Sequence, residues 1–284
     1  MGVLDGRVVV VTGAGRGLGR EHARLLAAEG ARLVVNDLGC AADGSGTDPA
    51  VIATVTDELR AAGADVVSTV DDVATLDGAR RLLDTALEAY GEVHGLVNNA
   101  GILRDRMLVN MAEDEWDGVI RGQLRGTFGP TRVFAAHWRA VGGSGAAIVN
   151  VSSTSGLIGQ VGQTNYGAAK AGIAALTVIL AEEVRRYGIR VNGIVPVART
   201  RMTENVPGVA EVIAAPADPS AFDVYHPGNV SPLVGWLVSA GCPVTGQLYY
   251  AKGGEIRHMV GWQYGKVVDR GSRWTVAEID EAFR

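Results

Sequence analysis

Short valine-rich runs recur along the chain at 7–11 (RVVVV), 31–36 (ARLVVN), 64–70 (ADVVSTV), 93–98 (VHGLVN), 146–152 (AAIVNVS), 189–195 (IRVNGIV) and 246–251 (GQLYYA). Between them lie stretches with helical spacing of apolar positions, near 17–29, 49–62, 75–90, 113–140, 165–187 and 229–240. Strands that are apolar almost throughout, alternating with helices, predict a parallel sheet covered on both faces. Seven such strands point to an α/β, doubly wound (Rossmann-type) fold, whose ligands bind at the carboxyl ends of the strands. No internal repeat or long linker divides the 284 residues, so one domain over 1–284 is expected. The Gly/Ser/Asp stretch 39–49 reads as a solvated connector. Residues 207–228, rich in alanine and proline, break the alternation and read either as a segment covering a site or as a surface excursion.

Composition narrows the class. A formal net charge of -5 without a local basic cluster gives no footing for nucleic acid or an anionic membrane. The only cysteines, Cys40 and Cys242, lack metal or disulfide spacing. No basic leader precedes the first strand, no run of 18 apolar residues occurs, and a soluble cytoplasmic protein is expected. The five histidines show no metal-ligating spacing, so no metal is expected. The tryptophans read as core or subunit contacts.

The first strand runs into TGAGRGLG (12–19), which departs from the GxGxxG spacing. Its glycines 13, 17 and 19 still permit positive φ and close backbone approach, and the following helix start favours a pyrophosphate. Asp37 ends the second strand, 18 residues after Gly19, where a carboxylate can accept from ribose hydroxyls. That favours NAD over NADP, while Arg16 offers a guanidinium to a 2'-phosphate or to the adenine face. Asp72 ends the third strand, either as acceptor for the adenine amino group or as a helix cap. NNAG (98–101) follows the fourth strand.

Only three of the 26 basic residues are lysines, and one, Lys170, stands four residues after Tyr166 on a helical pattern. Seven tyrosines and three lysines give about 0.07 such pairs by chance in a chain of this length, so the pair is informative. At i and i+4 the phenol and ammonium share a helix face, and the cation is expected to bring the phenol's pKa down toward the working range. Ser153, at the end of the fifth strand and 13 residues before Tyr166, can donate to a carbonyl oxygen.

In TGAGRGLG, Asp37, NNAG, Ser153 and YGAAK the chain resembles the short-chain dehydrogenase/reductases over nearly its whole length. The resemblance implies a nicotinamide cofactor lying along Gly13, Arg16, Gly17, Leu18, Gly19, Asp37, Asp72, Val73, Asn99, Ala100 and Gly101, with Tyr166, Lys170, Pro196 and Thr200 at its nicotinamide ribose and ring. It also implies proton exchange at Tyr166, ribose contact and pKa control by Lys170, and substrate orientation by Ser153. The family's usual helix asparagine, which supports a proton path to the lysine, is replaced by Gln123 in IRGQLRG. Val197 stands where many members have glycine after Pro196, and Thr200 comes one residue early.

VVNDLG, NNAGILRDRM, QLRGTF, GQTNYGAAKAG and ARTRMT look like the (3R)-hydroxyacyl-CoA dehydrogenase part of the peroxisomal multifunctional enzyme and its bacterial relatives. This implies a fatty or steroid side-chain acyl thioester as substrate. A 3-oxoacyl-carrier-protein reductase, a hydroxysteroid dehydrogenase and a catalytically silent NAD-binding subunit remain as alternatives. Arg104 and Arg106 read either as a basic mouth for CoA or as ordinary exposed arginines. The helices 113–140 and 165–187 carry many small residues, and the resemblance implies a homodimer or homotetramer through them. The tail 261–284 reads as a subunit or substrate-entrance contact.

Overall fold

The computed structural model describes residues 2–143, 145–201 and 210–284. Its sheet has the order β3-β2-β1-β4-β5-β6-β7-β8. The strands are β1 (Val8–Thr12), β2 (Arg32–Asn36), β3 (Val66–Thr69), β4 (Gly95–Asn98), β5 (Ala147–Val151), β6 (Arg190–Pro196), β7 (Leu248–Lys252) and β8 (Glu255–His258). Seven are parallel, as the apolar runs predict, and β8 adds an antiparallel edge to β7. That strand escapes the hydrophobic pattern because most of it is exposed.

Successive side chains of a strand point to opposite faces, and each valine run is divided accordingly. Val9 and Val11 pack with Leu26 of α1 (Gly17–Ala28), Ile52 and Leu59 of α2 (Pro49–Ala61), and Leu233 and Leu237 of α8 (Ser231–Val238). Val8 and Val10 face Leu82 of α3 (Leu76–Tyr90), Phe134 and Trp138 of α5 (Gly126–Val141), and Val184 of α7 (Thr164–Val184). Each fully buried side chain of this kind contributes about 1.5–3 kcal/mol, so the two helical layers are held without a disulfide. Helix starts follow local chemistry: Asp48 accepts from the Ala50 N–H before Pro49, and Thr75 from the Gly78 N–H.

The expected helix 113–140 is broken. α4 (Glu113–Val119) passes through a wider π-type turn, Ile120–Arg125, before α5. Two causes coincide. Pro130 has no N–H to give the preceding turn, and the Gln123 side chain leaves the helix to donate to the Ile102 carbonyl at 2.7 Å. Between the layers, the Asn98 amide donates to Thr131 and Asn150, both at 2.8 Å, and the Asn150 amide donates to Thr177 at 2.9 Å. This buried polar ladder ties β4 and β5 to α5 and α7.

Beyond β8 the chain runs exposed to α9 (Val276–Ala282), capped by the reciprocal Thr275 and Glu278 pair. Trp262 and Tyr264 are fully exposed there. Among the described residues, no helix is long and apolar enough to cross a membrane.

Candidate active site

A cavity of about 720 Å³ opens at the carboxyl ends of the strands. At its nucleotide end, Gly13 and Gly17 adopt φ of 64° and 51°, the left-handed conformations that glycine tolerates best. The turn is clamped by β4: the Asn99 amide donates to the Thr12 and Gly13 carbonyls at 3.1 and 3.0 Å, and the Thr12 hydroxyl receives the N–H groups of Asn99 and Ala100, each at 3.1 Å. A Cβ at Gly13 would meet the Ala100 Cα at 2.7 Å. Gly19 does not line the cavity; a Cβ there would meet the Gly13 carbonyl at 2.1 Å, so this glycine serves packing of helix on turn. α1 begins at Gly17 without a side-chain cap or an acidic residue in its first turn. Its first-turn N–H groups and positive end therefore suit a pyrophosphate, and this cradle fits a dinucleotide.

Asp37 borders the same cavity and accepts from the N–H groups of Gly15 at 2.8 Å and Gly39 at 2.6 Å. Arg16 and Arg201 both donate to the Cys40 carbonyl, at 3.1 and 3.3 Å. Asp72 accepts from the Ala74 N–H and pairs with Arg121 of the π-type turn. The cap of α3 is Thr75. Leu18, Val73, Ala100, Gly101, Pro196 and Thr200 also line the cavity.

At the other end, β5 delivers Ser153 and the start of α7 delivers Tyr166 and Lys170 to the same space. The Lys170 ammonium is buried, donates to the Val151 carbonyl at 2.7 Å and lies 5.5 Å from the centre of the Tyr166 ring. Burial pushes Lys170 down to about 7 and the Tyr166 phenol up to about 12; a hydrogen bond with Ser153 pulls the phenol down and the Asp105 carboxylate pushes it up. The expected lowering of the phenol by the lysine is thus absent from the protein alone. Loss of water disfavours the charged form of both groups and outweighs their mutual influence. Ser152, by contrast, is a packing residue that donates to the Lys170 carbonyl at 2.8 Å. Gln123 reaches the cavity, but its side-chain oxygen is buried without a hydrogen-bond partner among the described residues.

Several contributors escaped the motif search. Asn165 is buried and donates to the carbonyls of Arg104 and Glu115 at 2.9 and 3.1 Å, while accepting from the Tyr166 N–H at 2.8 Å. It therefore fixes the angle at which α7 enters. Gln163 bridges Asp105 and Ser155. Only its place within three residues of Tyr166 could have drawn notice.

The 39–49 stretch is more than a solvated connector. Its Ala42 carbonyl accepts from the Leu103 N–H at 2.9 Å, its Asp43 carbonyl from Arg104 at 2.7 Å, and Cys40, Ala41 and Gly44 border the cavity. Arg104 and Arg106 pair with Asp114 and Glu115. In the expected 207–228 segment, residues 207–209 lie outside the described residues. The remainder is tied down by Arg199, which pairs with Asp223, donates to the Ile213 carbonyl at 2.8 Å and gives its N–H to Tyr225 at 2.7 Å. Ile213 lines the cavity, which favours the covering role.

Comparison with known proteins agrees with this geometry. A family model described as short chain dehydrogenase matches residues 7–208. The chain is 46% identical over 264 residues to the hydroxyacyl-CoA dehydrogenase ChsB1 of Mycobacterium tuberculosis, covering 89% of this chain and 79% of that protein. It is 40% identical to the mouse peroxisomal multifunctional enzyme type 2 over 89% of this chain, but spans only 32% of that enzyme. A crystal structure of a short chain dehydrogenase from Mycobacterium avium superposes with a TM-score of 0.87 at 46% identity, covering 99% of this chain and 94% of the other.

Proposed function

The chain belongs to the short-chain dehydrogenase family, an oxidoreductase acting on a CH–OH group, and on that premise we propose that it interconverts a (3R)-3-hydroxyacyl-CoA and its 3-oxoacyl-CoA with NAD. The observation that carries the proposal is the convergence of Ser153, Tyr166 and Lys170 in one cavity with the glycine turn. The thioester is supported by likeness to a hydroxyacyl-CoA dehydrogenase. NAD is supported by Asp37, whose carboxylate at the end of β2 would repel a 2'-phosphate.

When bound, the nicotinamide supplies the hydride acceptor or donor. Ser153 holds the substrate oxygen with its hydroxyl proton, and Tyr166 exchanges a proton with that oxygen. With the phenol raised to about 12, Tyr166 rests as the acid needed for reduction. Burial lowers Lys170 from its ordinary value toward the neutral range, so the amine can take up or return a proton beneath the phenol. Oxidation needs the phenolate, and a positive charge added beside the ring favours it. Gln123 offers a buried acceptor in the family's proton-path position.

Exposed Phe128 of α5 and Val178 and Ile179 of α7 support a homodimer or homotetramer through these helices. The free thiols Cys40 and Cys242 fit a reducing cytoplasm. The test is NADH formation with (3R)-3-hydroxyacyl-CoA, the matching carrier-protein thioester and free hydroxysteroids, side by side. Turnover of the CoA thioester above the other two is expected, and no turnover of any thioester would overturn the proposal.

A further inference from the structure

A chain of hydrogen bonds leads from exposed Asp105 through Gln163 and Ser155 of the cavity wall to Ser153. The Gln163 amide nitrogen donates to the Asp105 carboxylate at 2.7 Å, and the Gln163 oxygen accepts from the Ser155 hydroxyl at 2.7 Å. The Ser155 N–H in turn donates to the Ser153 oxygen at 3.2 Å, and the two serine oxygens lie 3.3 Å apart. The Ser155 N–H bond to Ser153 is the N-cap of α6 (Thr154–Leu157), whereas the two Gln163 side-chain bonds cap neither α6 nor α7.

The direction of each bond is fixed by donor chemistry. An ionised carboxylate only accepts, so the Gln163 NH₂ must face Asp105 and its oxygen must face Ser155. That oxygen claims the Ser155 proton. Ser155 then offers Ser153 an N–H donor and a hydroxyl lone pair, never a hydroxyl proton. With its oxygen already accepting, Ser153 keeps its one hydroxyl proton to donate: to the Ser155 oxygen at 3.3 Å here, and to a substrate oxygen when one is bound.

We propose that Asp105, acting through the Gln163 amide and the Ser155 hydroxyl, is a positioning residue that makes Ser153 a proton donor to the substrate oxygen; this rests on the function proposed above. Reversing the amide would place two acceptors together at Asp105 and turn Ser155 into an acceptor, freeing its proton for Ser153. The carboxylate excludes that state.

The same carboxylate has a second effect, because its negative charge disfavours phenolate at Tyr166. Loss of water outweighs the Gln163 hydrogen bond and keeps Asp105 above its ordinary value. The other charged groups around this stretch are Arg104, paired with Asp114, Arg106, paired with Glu115, and Lys170 beneath the phenol. Asp105 thus orients Ser153 and adds a smaller push, after burial, against phenolate at Tyr166.

Two variants separate these effects. Asp105→Asn keeps an acceptor for Gln163 and removes the charge, whereas Gln163→Met removes the bridge at similar volume. With (3R)-3-hydroxybutyryl-CoA and NAD, Asp105→Asn is expected to move the midpoint of the kcat/KM profile down by about half a pH unit. Gln163→Met is expected to lower kcat roughly tenfold with the NAD KM within about twofold. Without cofactor or substrate, the Gln163 side-chain amide protons, identified in ¹⁵N spectra by their loss in Gln163→Met, are expected to move upfield in Asp105→Asn.

An unmoved midpoint with unshifted amide protons would overturn the inference, as would a lowered Tm and raised KM at an unchanged pH profile. Tyr166→Phe, run in parallel, isolates the parent proposal: full turnover by that variant would overturn the assignment of Tyr166 itself. An inactive Tyr166→Phe beside wild-type-like Asp105→Asn and Gln163→Met would sink only the role of Asp105 and Gln163.

Discussion

The two ends of the cavity are built from different materials. The nucleotide end is made of backbone: glycines at positive φ, an uncapped helix start and carbonyls clamped by Asn99. The end proposed for proton transfer is made of side chains, with Lys170 buried and Tyr166 beside it, displaced by burial from their ordinary pKa values. Substitutions at the first should act through shape and be nearly indifferent to pH. At the second they should act through charge and depend on pH throughout.

The largest separation is expected from Tyr166→Phe, which removes one oxygen and leaves the ring. Its kcat should fall ~10²–10⁴-fold while NAD affinity, read by fluorescence titration, changes little. Gly13→Val is the counterpart at the nucleotide end. Its Cβ would strike the Ala100 backbone and its φ is unfavourable for valine, so NAD binding should weaken at every pH. Thermal unfolding should show a loss of about 2–4 kcal/mol.

Lys170→Met should abolish turnover yet stabilise the fold. The lysine's folded value of about 7 lies below its unfolded 10.5, so the cost of burying the ammonium is complete below pH 7 and vanishes as pH rises toward 10.5. Urea unfolding of the variant should therefore show a gain of about 1–3 kcal/mol at or below neutral pH, fading in alkali. No gain at neutral pH would mean that the amine is not buried as a charge.

The smallest effect tests whether the nucleotide end is truly indifferent to pH. His22 of α1 is fully buried with its Nδ1 2.9 Å from the Ser231 hydroxyl, its Nε2 has no partner among the described residues, and burial lowers it to about 3. Folded His22 stays neutral while the unfolded chain binds a proton, so stability declines as pH falls from 6.5 toward 3. His22→Gln should remove about 1 kcal/mol of that decline near pH 5.5, measured by unfolding at several pH values.

The contrast also explains what the sequence revealed. Glycine spacing, Asp37 and the valine runs follow from local backbone demands, and the fold and nucleotide cradle were legible for that reason. Tyr166, Lys170 and Ser153 were legible through spacing at a helix start and a strand end. Their pKa values were not, because burial and the charge of residues distant in sequence, such as Asp105 on Tyr166, are not recorded in local spacing. The π-type turn around Gln123 was hidden because one of its two causes, the contact with Ile102, lies 21 residues away. The loop at 39–49 looked solvated because its partners are backbone groups of residues 103 and 104, which composition does not record.

The central claim is that burial holds Tyr166 as a neutral acid until charge is added beside it. An ultraviolet difference titration of phenolate, wild type minus Tyr166→Phe, with and without NAD, tests it most directly. One phenol ionising well above 10 in the protein alone and moving down when NAD is bound is the predicted result. An identical midpoint in both states, or one below 10 without NAD, would contradict it.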